Sequence, residues 1–358
     1  MSYTIDPKIF GENVFRGRKQ KGWSMDQLSA MTGNKISKAA IAKIEAGLVM
    51  PREKTIWLLM EAFGMRPDYF FRAATVRSNI TGLVRSRAYL SEREQHMILE
   101  DANQFLEAYV QIEQMSLSRK DFVNPLSELQ PVVGDMDAED AADFVRHLWH
   151  LGEGALGSVC EIFEERHIKI HMADIEIDFE GMTALIGSDE PVFIINKTIN
   201  SEHKRFTLLF ELAGLILRFP DEMKTSEAEK LCARFAGAVL LPAKVLFALI
   251  GKKREQIYLS ELIQIRNTFG ISLGAAMHRL LELRIIGLPL YTRFKTYIQD
   301  NPNETGQGGC TIDEKPQRFE RLVLQALSRR IITLGHAADL LQCKQTELDQ
   351  EIKWSNTI

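Results

Sequence analysis

The chain has 358 residues, 45% hydrophobic and 26% charged, with a formal net charge of −4. That length suits two or three domains, the balance is that of an ordinary globular protein, and the charge excludes a uniformly basic nucleic-acid coat. No apolar run approaches the ~18 residues of a membrane span. The N-terminus has neither the basic nor the apolar region of a signal peptide. Cys160, Cys232, Cys310 and Cys343 stand far apart without a C-x-x-C pair, so reduced thiols and a cytoplasmic location are expected.

Residues 9–71 read as short helices joined by tight turns. The first is expected over 10–21, with Val14 and Phe15 facing inward and Gly22 ending it. Ser24 suits the N-cap of MDQLSAMTG, Ser37 that of KAAIAKIEAG, and Gly33 and Gly47 end these two helices. EKTIWLLMEAFGM is a further amphipathic helix. Two short helices, a Gly-containing turn and small and basic residues on the second helix fit a helix-turn-helix. The stretch SKAAIAKIEAG, followed by Pro51, resembles the S-x-x-x-I-x-x-I-E-x-G pattern of Xre-type DNA-binding domains. Two departures are Met25, where the family often has Gln, and the longer turn made by Asn34 and Lys35.

If Ser37 starts the recognition helix, Lys38, Ala39, Ala40 and Lys43 lie on the turns that enter a major groove. Ser37 can cap the helix and present its N-terminus to a phosphate. Lys35, Arg52 and Lys54 flank it and are expected on the backbone. The small Ala39 and Ala40 allow close approach to thymine methyls, while Lys38 and Lys43 can read guanine or hold phosphate. Residues 1–73 carry 12 Lys/Arg against 7 Asp/Glu, so this +5 segment sits in a chain whose remainder carries −9. The phosphate-seeking charge is concentrated here.

Residues 74–137 read as a linker with one long amphipathic helix. Ser91 and Glu94 make a capping box, and Ile98, Ala102, Phe105, Tyr109 and Ile112 form a seam spaced 4, 3, 4, 3. That seam suits a dimer contact or packing on the domain that follows. MDAEDAADFVRHLWHLG then opens a new helix with acids in its first turn.

The stretch HKRFTLLFELAGLIL, residues 203–217, predicts a buried helix with almost no polar face and one acid, Glu211. A lone buried carboxylate is costly unless it is paired or functional. The pattern resembles the central helix of ImmA/IrrE-type metallopeptidases, R-F-T-L-A-H-E-L-G-H, in which two His bind zinc and the Glu is the general base. The flanking LWHLGEGALGSVCEIFEERHIKIHMADI and FEGMTALIGSDEPVFIIN resemble the family's opening helix, first strand and small sheet, so the likeness runs from 148 to 242. Phe210 and Gly214 occupy the two His positions. The resemblance places the third ligand at Glu229, in EKLCARFAGAVLLP. Two carboxylates fall short of the three protein ligands of a catalytic zinc. His147, His150, His167, His171, His203 and His278 show no ligand pattern, and His278 is read as structural.

After Pro242 the chain reads as helical to about residue 284. Residues 299–316 read as a turn-rich loop, PQRFERLVLQALSRR as an amphipathic helix, and ITLGHAADLLQCKQTELDQEI as a small helix pair whose Glu347, Asp349 and Glu351 suit protein contact rather than phosphate.

The expected fold class is mainly α with a small α+β domain. Its parts are a lambda-repressor-like helix-turn-helix (1–73), the helical linker (74–137), a degenerate zincin-like domain lacking its zinc ligands (138–290) and a helical protein-contact tail (291–358). The resemblance implies a sequence-specific transcriptional regulator, a repressor or antitoxin of a toxin–antitoxin or phage-defence operon. It would bind an inverted repeat of double-stranded DNA in its own promoter, as a homodimer. Its inactive peptidase-like domain would hold a toxin or another operon-encoded protein. No catalytic residue, metal, cofactor or membrane enters this reading. The alternatives are a regulator sensing a ligand in the dead cleft, and an active metallopeptidase cleaving a repressor, which the missing His pair opposes.

Overall fold

The computed structural model describes residues 7–64, 70, 80–81, 90–116, 118, 120–187, 190–301 and 307–355. The chain is mainly α-helical and divides into two compact units. One comprises Met1–Ile80, Leu90–Arg119 and Leu322–Ile358, and the other Thr81–Tyr89 and Lys120–Arg321.

The first unit begins with α1 (Pro7–Gln20), α2 (Met25–Met31), α3 (Lys38–Glu45) and α4 (Glu53–Phe63). Ser24 starts α2 with a capping box, its Oγ accepting from Gln27 N–H while the Gln27 side chain accepts from Ser24 N–H. Ser37 Oγ accepts from Ala40 N–H and starts α3. Phe10, Val14, Leu28, Ile36, Ile41, Ile44, Leu59, Phe63 and Phe70 form the core. The inward pair on α1 is Phe10 and Val14, four residues apart, and not Val14 and Phe15. Phe15 is exposed, with Arg18 and Lys19 over its ring. Adjacent helical positions point about 100° apart, so Val14 and Phe15 cannot both face the core.

Two glycines let α1 cross the end of α3. A Cβ on Gly11 would run into the Ile44 carbonyl oxygen, and one on Gly47 (φ +66°) would come within 2.8 Å of Lys8 Cα. Left-handed φ and backbone proximity both require glycine at 47.

A two-residue strand, β1 (Ile80–Thr81), precedes α5 (Glu92–Met115). The Ser91–Glu94 capping box forms as expected. Four of the five seam residues are buried, but Phe105 is only half-buried, and Leu106 and Val110 widen the buried face. The face packs within the first unit, against α1, where Arg16 pairs with Glu100 and Glu107.

The second unit holds α6 (Asp135–Leu148), α7 (Val159–Glu165), β2 (Lys169–Ala173), β3 (Gly181–Ile186), β4 (Glu190–Asn196), α8 (Ser201–Ile216), α9 (Thr225–Leu240), α10 (Ala243–Ile250), α11 (Leu259–Phe269), α12 (Leu273–Glu282) and α13 (Leu288–Asp300). In this unit's sheet β4 lies in the middle, with β3 antiparallel and β2 parallel to it. The central β4 is buried along its whole length, which explains its continuous apolar run. Helix α8 packs on β3 and β4, and Gly181 makes room for Thr207. Helix α9 packs on α6 and α8. Glu139 of α6 ties three helices together by pairing with Arg234 of α9 (2.7 Å) and Arg279 of α12.

Residues 307–318 are bound to this unit. Glu314, 1% exposed, accepts from Ser158 Oγ and from the Val159 and Cys160 N–H groups at 3.0 Å each, and from Arg205 Nη1 at 2.5 Å. It therefore caps α7 across 155 residues of sequence and neutralises the buried Arg205. Arg266 pairs with Glu202 (2.6 Å) and donates to the Gln307 carbonyl. Glu164 accepts from the Gln317 and Arg318 N–H groups at the start of α14 (Arg318–Ser328). The short helices α15 (Leu334–Leu340) and α16 (Gln345–Ser355) belong to the first unit. No single described helix is long and apolar enough to span a membrane.

Candidate functional site

Two sites stand out, one in each unit. In the first, α2 and α3 are joined by a turn with two consecutive left-handed residues, Gly33 (φ +66°) and Asn34 (φ +60°). Asparagine tolerates this conformation better than most side chains. Two side chains close the turn: Ser29 Oγ donates to the Ile36 carbonyl at 2.6 Å, and Thr32 Oγ1 accepts from Ile36 N–H. The longer turn is thus a fixed one.

Ile41 and Ile44 anchor α3 in the core and leave Lys38, Ala39 and Lys43 exposed, with Ala40 half-buried. Lys35 and Ser37 are exposed before it, and Arg52 and Lys54 after it. Lys35, Lys43, Arg52 and Lys54 have no ion pair among the described residues. Lys38 pairs with exposed Asp26 at 2.7 Å, a partner that sequence reading missed. Such an exposed pair contributes little and exchanges readily for a phosphate. Glu45, the acid of the I-E-x-G pattern, points inward. It binds Arg18 Nε and Nη2 at 2.6 Å each, and Arg18 Nη1 also donates to the Trp23 carbonyl. This fork holds α1, α3 and the start of α2 together, leaving α3 a rigid platform for its basic outer face.

In the second unit, Glu211 lies mid-way along α8 and is 2% exposed. Thr183 Oγ1 of β3 donates to Glu211 Oε2 at 2.7 Å. Phe210 belongs to the hydrophobic core and Gly214 is half-buried. Glu229 is exposed, because α9 enters the core only from Leu231 onward. His203 is exposed on the first turn of α8. His278 is exposed on α12, 3.4 Å from Glu282 and beside the Tyr291 ring. The His278 contact, working with Arg279 and Arg234 against burial, holds the Glu282 carboxyl below the ordinary range. Among the described residues, no three His, Cys, Asp or Glu side chains are grouped so as to hold a metal ion. The side chains of Phe210 and Gly214 carry no metal-binding atom.

Residues 16–70 match the family model of the helix-turn-helix, and residues 163–281 that of the IrrE N-terminal-like domain. The chain joins a helix-turn-helix to an IrrE-like domain. The first match makes it a DNA-binding regulator, and the second gives it a peptidase-family domain. No curated protein and no solved structure matched the chain. The helix-turn-helix match ends at Phe70, whose ring packs on Phe10 and Phe63 in the same core. The IrrE-like match begins in α7 and ends in α12, so it spans the sheet, α8 and Glu211.

Proposed function

We propose that this regulator is a repressor or antitoxin that acts in the cytoplasm on its own promoter, in a toxin–antitoxin or phage-defence operon. The observation that carries the reading is the outer face of α3. Lys38, Ala39 and Lys43 are exposed on it with the small Ala40 half-buried between them, and exposed Lys35, Arg52 and Lys54 flank it. Lys38, Ala39, Ala40 and Lys43 take the major groove, while Lys35, Ser37, Arg52 and Lys54 take phosphates. A homodimer presents two such helices about 34 Å apart, so the operator is an inverted repeat.

The IrrE-like domain then serves as a protein-contact body without peptidase activity. Phe210 and Gly214 offer no metal-binding atom, and Glu229 lies in solvent. Glu211, held by Thr183, fastens α8 to β3. We assign DNA binding to residues 1–73 and partner binding to the chain beyond 138. The test is a footprint on the native promoter with full-length protein. Two symmetry-related protected half-sites about one helical turn apart are expected. Uniform protection, or none, would sink the operator assignment.

A further inference from the structure

Helix α6 has two faces. Ala138, Ala141, Ala142 and Val145 are core. Met136, Phe144 and Leu148 stand in solvent with Val133 just before the helix. Met136, Asp140, Phe144 and Leu148 are four apart, so they form one stripe along the helix. Large apolar side chains clustered at a surface mark an interaction site. Beside the stripe runs a groove of about 310 Å³, whose floor includes Leu126, Leu129, Val132, Ile216 and Leu217. Its wall is pinned: Val132 N–H donates to the Arg218 carbonyl at 2.8 Å, and Asn124 Nδ2 to the Ile216 carbonyl at 3.3 Å.

The charges around it are mostly negative. Asp137 and Asp140 line the groove, and Asp143 is exposed one turn from Asp140. Asp137 caps its own helix by accepting from the Val133 and Gly134 N–H groups, whereas Asp140 has no ion pair among the described residues. Arg218, the one lining cation among the described residues, donates to the Leu129 carbonyl. The sixteen-residue α8 ends at Ile216, and its C-terminal end adds partial negative charge. Burial first, then the neighbouring Glu139 and Asp140, raise the Asp143 carboxyl above its ordinary range, against the opposing pull of Arg146 and Arg279.

We propose that this groove and stripe bind an amphipathic helix of a partner protein, apolar on one side and flanked by Lys or Arg. The apolar floor takes the anchors, and Asp140 and Asp143 take the cations. The inference rests on the partner-binding reading and names the chemistry of the partner's contact.

The test uses full-length protein and two labelled synthetic helical peptides, one of leucine and lysine and one of leucine and glutamate, followed by anisotropy. The leucine–lysine peptide is expected to bind and the leucine–glutamate peptide to fail. Phe144→Asp and Asp140→Lys should each weaken binding by roughly tenfold or more. Glu255→Lys, at an exposed site outside the groove, should leave it unchanged. Equal binding of both peptides, or undiminished binding by both groove variants, would overturn the proposal. So would a dimer that Phe144→Asp dissociates while neither peptide binds, which would assign the face to a second copy. Promoter binding is measured on the same preparations. Promoter binding without peptide binding removes the groove alone, whereas loss of promoter binding in the wild type removes the regulator reading.

Discussion

Replacing Glu314 with alanine is expected to destabilise the IrrE-like unit by about 3–5 kcal/mol, the usual cost of breaking a buried ion pair from one side. The carboxylate receives four donors, three at 3.0 Å and Arg205 at 2.5 Å. Removing it leaves the fully buried Arg205 guanidinium facing only the Leu156, Gly157 and Phe269 carbonyls. It also uncaps α7. Hydrogen bonds to charged groups contribute roughly 1.5–3 kcal/mol each but do not add, so the ion-pair range bounds the sum. Glu314→Gln keeps the shape and one acceptor while losing the charge, and should fall between wild type and alanine. The assay is a urea titration read by alkylation of Cys232, which is buried in the same unit, away from the substitution in sequence. With a urea slope of ~1–3 kcal/mol/M, the midpoint should fall by ~1 M or more. A shift below ~0.3 M in the alanine variant would refute the claim that residues 307–318 are structural to this unit.

Other predictions follow from the two sites. Arg52→Ala should weaken binding to all duplexes alike and lower the salt slope by about one unit, whereas Lys38→Ala should cost roughly 1–3 kcal/mol on the operator if it reads a base. Titrations at several salt concentrations separate the two. Elemental analysis of purified protein should find no stoichiometric zinc, and chelators should not shift its unfolding, since no metal-linked folding energy is expected. Acid should strengthen the packing of α5 on α1. Burial raises the Glu100 and Glu107 carboxyls above their ordinary range despite Arg16. A raised folded-state pKa contributes stability that is full below the unfolded value and lost as pH rises through the folded one. Exchange protection of α5 amides, compared at fixed intrinsic rate, should therefore be greater near pH 4 than at pH 7, and Glu107→Gln should remove part of that difference.

Much of this architecture was legible because its signals are local. Ser24, Ser37 and Ser91 each act on the third residue ahead, a spacing that any sequence displays. The apolar run of α8 and the continuous hydrophobic β4 announce burial by composition alone. What stayed hidden depends on long-range pairing. Glu314 and Arg205 are 109 residues apart, and Arg279 meets Glu139 across 140. No periodicity encodes either pair, so 299–316 read as a polar turn-rich loop. The inward face of α1 was misassigned because Val14 and Phe15 are both apolar, and only the close approach at Gly11 fixes the rotation. At the candidate sites, the exposed cations around α3 were readable, but the Asp26 partner of Lys38 and the inward fork of Glu45 on Arg18 were not.

The central claim is that α3 reads a specific operator. The most direct measurement is the affinity of full-length protein for its own promoter against a random duplex of equal length, by anisotropy across a salt series. The account predicts tighter binding to the promoter at every salt concentration, by about 10³-fold or more near physiological salt, with both affinities falling as salt rises. Equal affinity for the two duplexes throughout the series would contradict it and leave the helix-turn-helix as a protein-contact module.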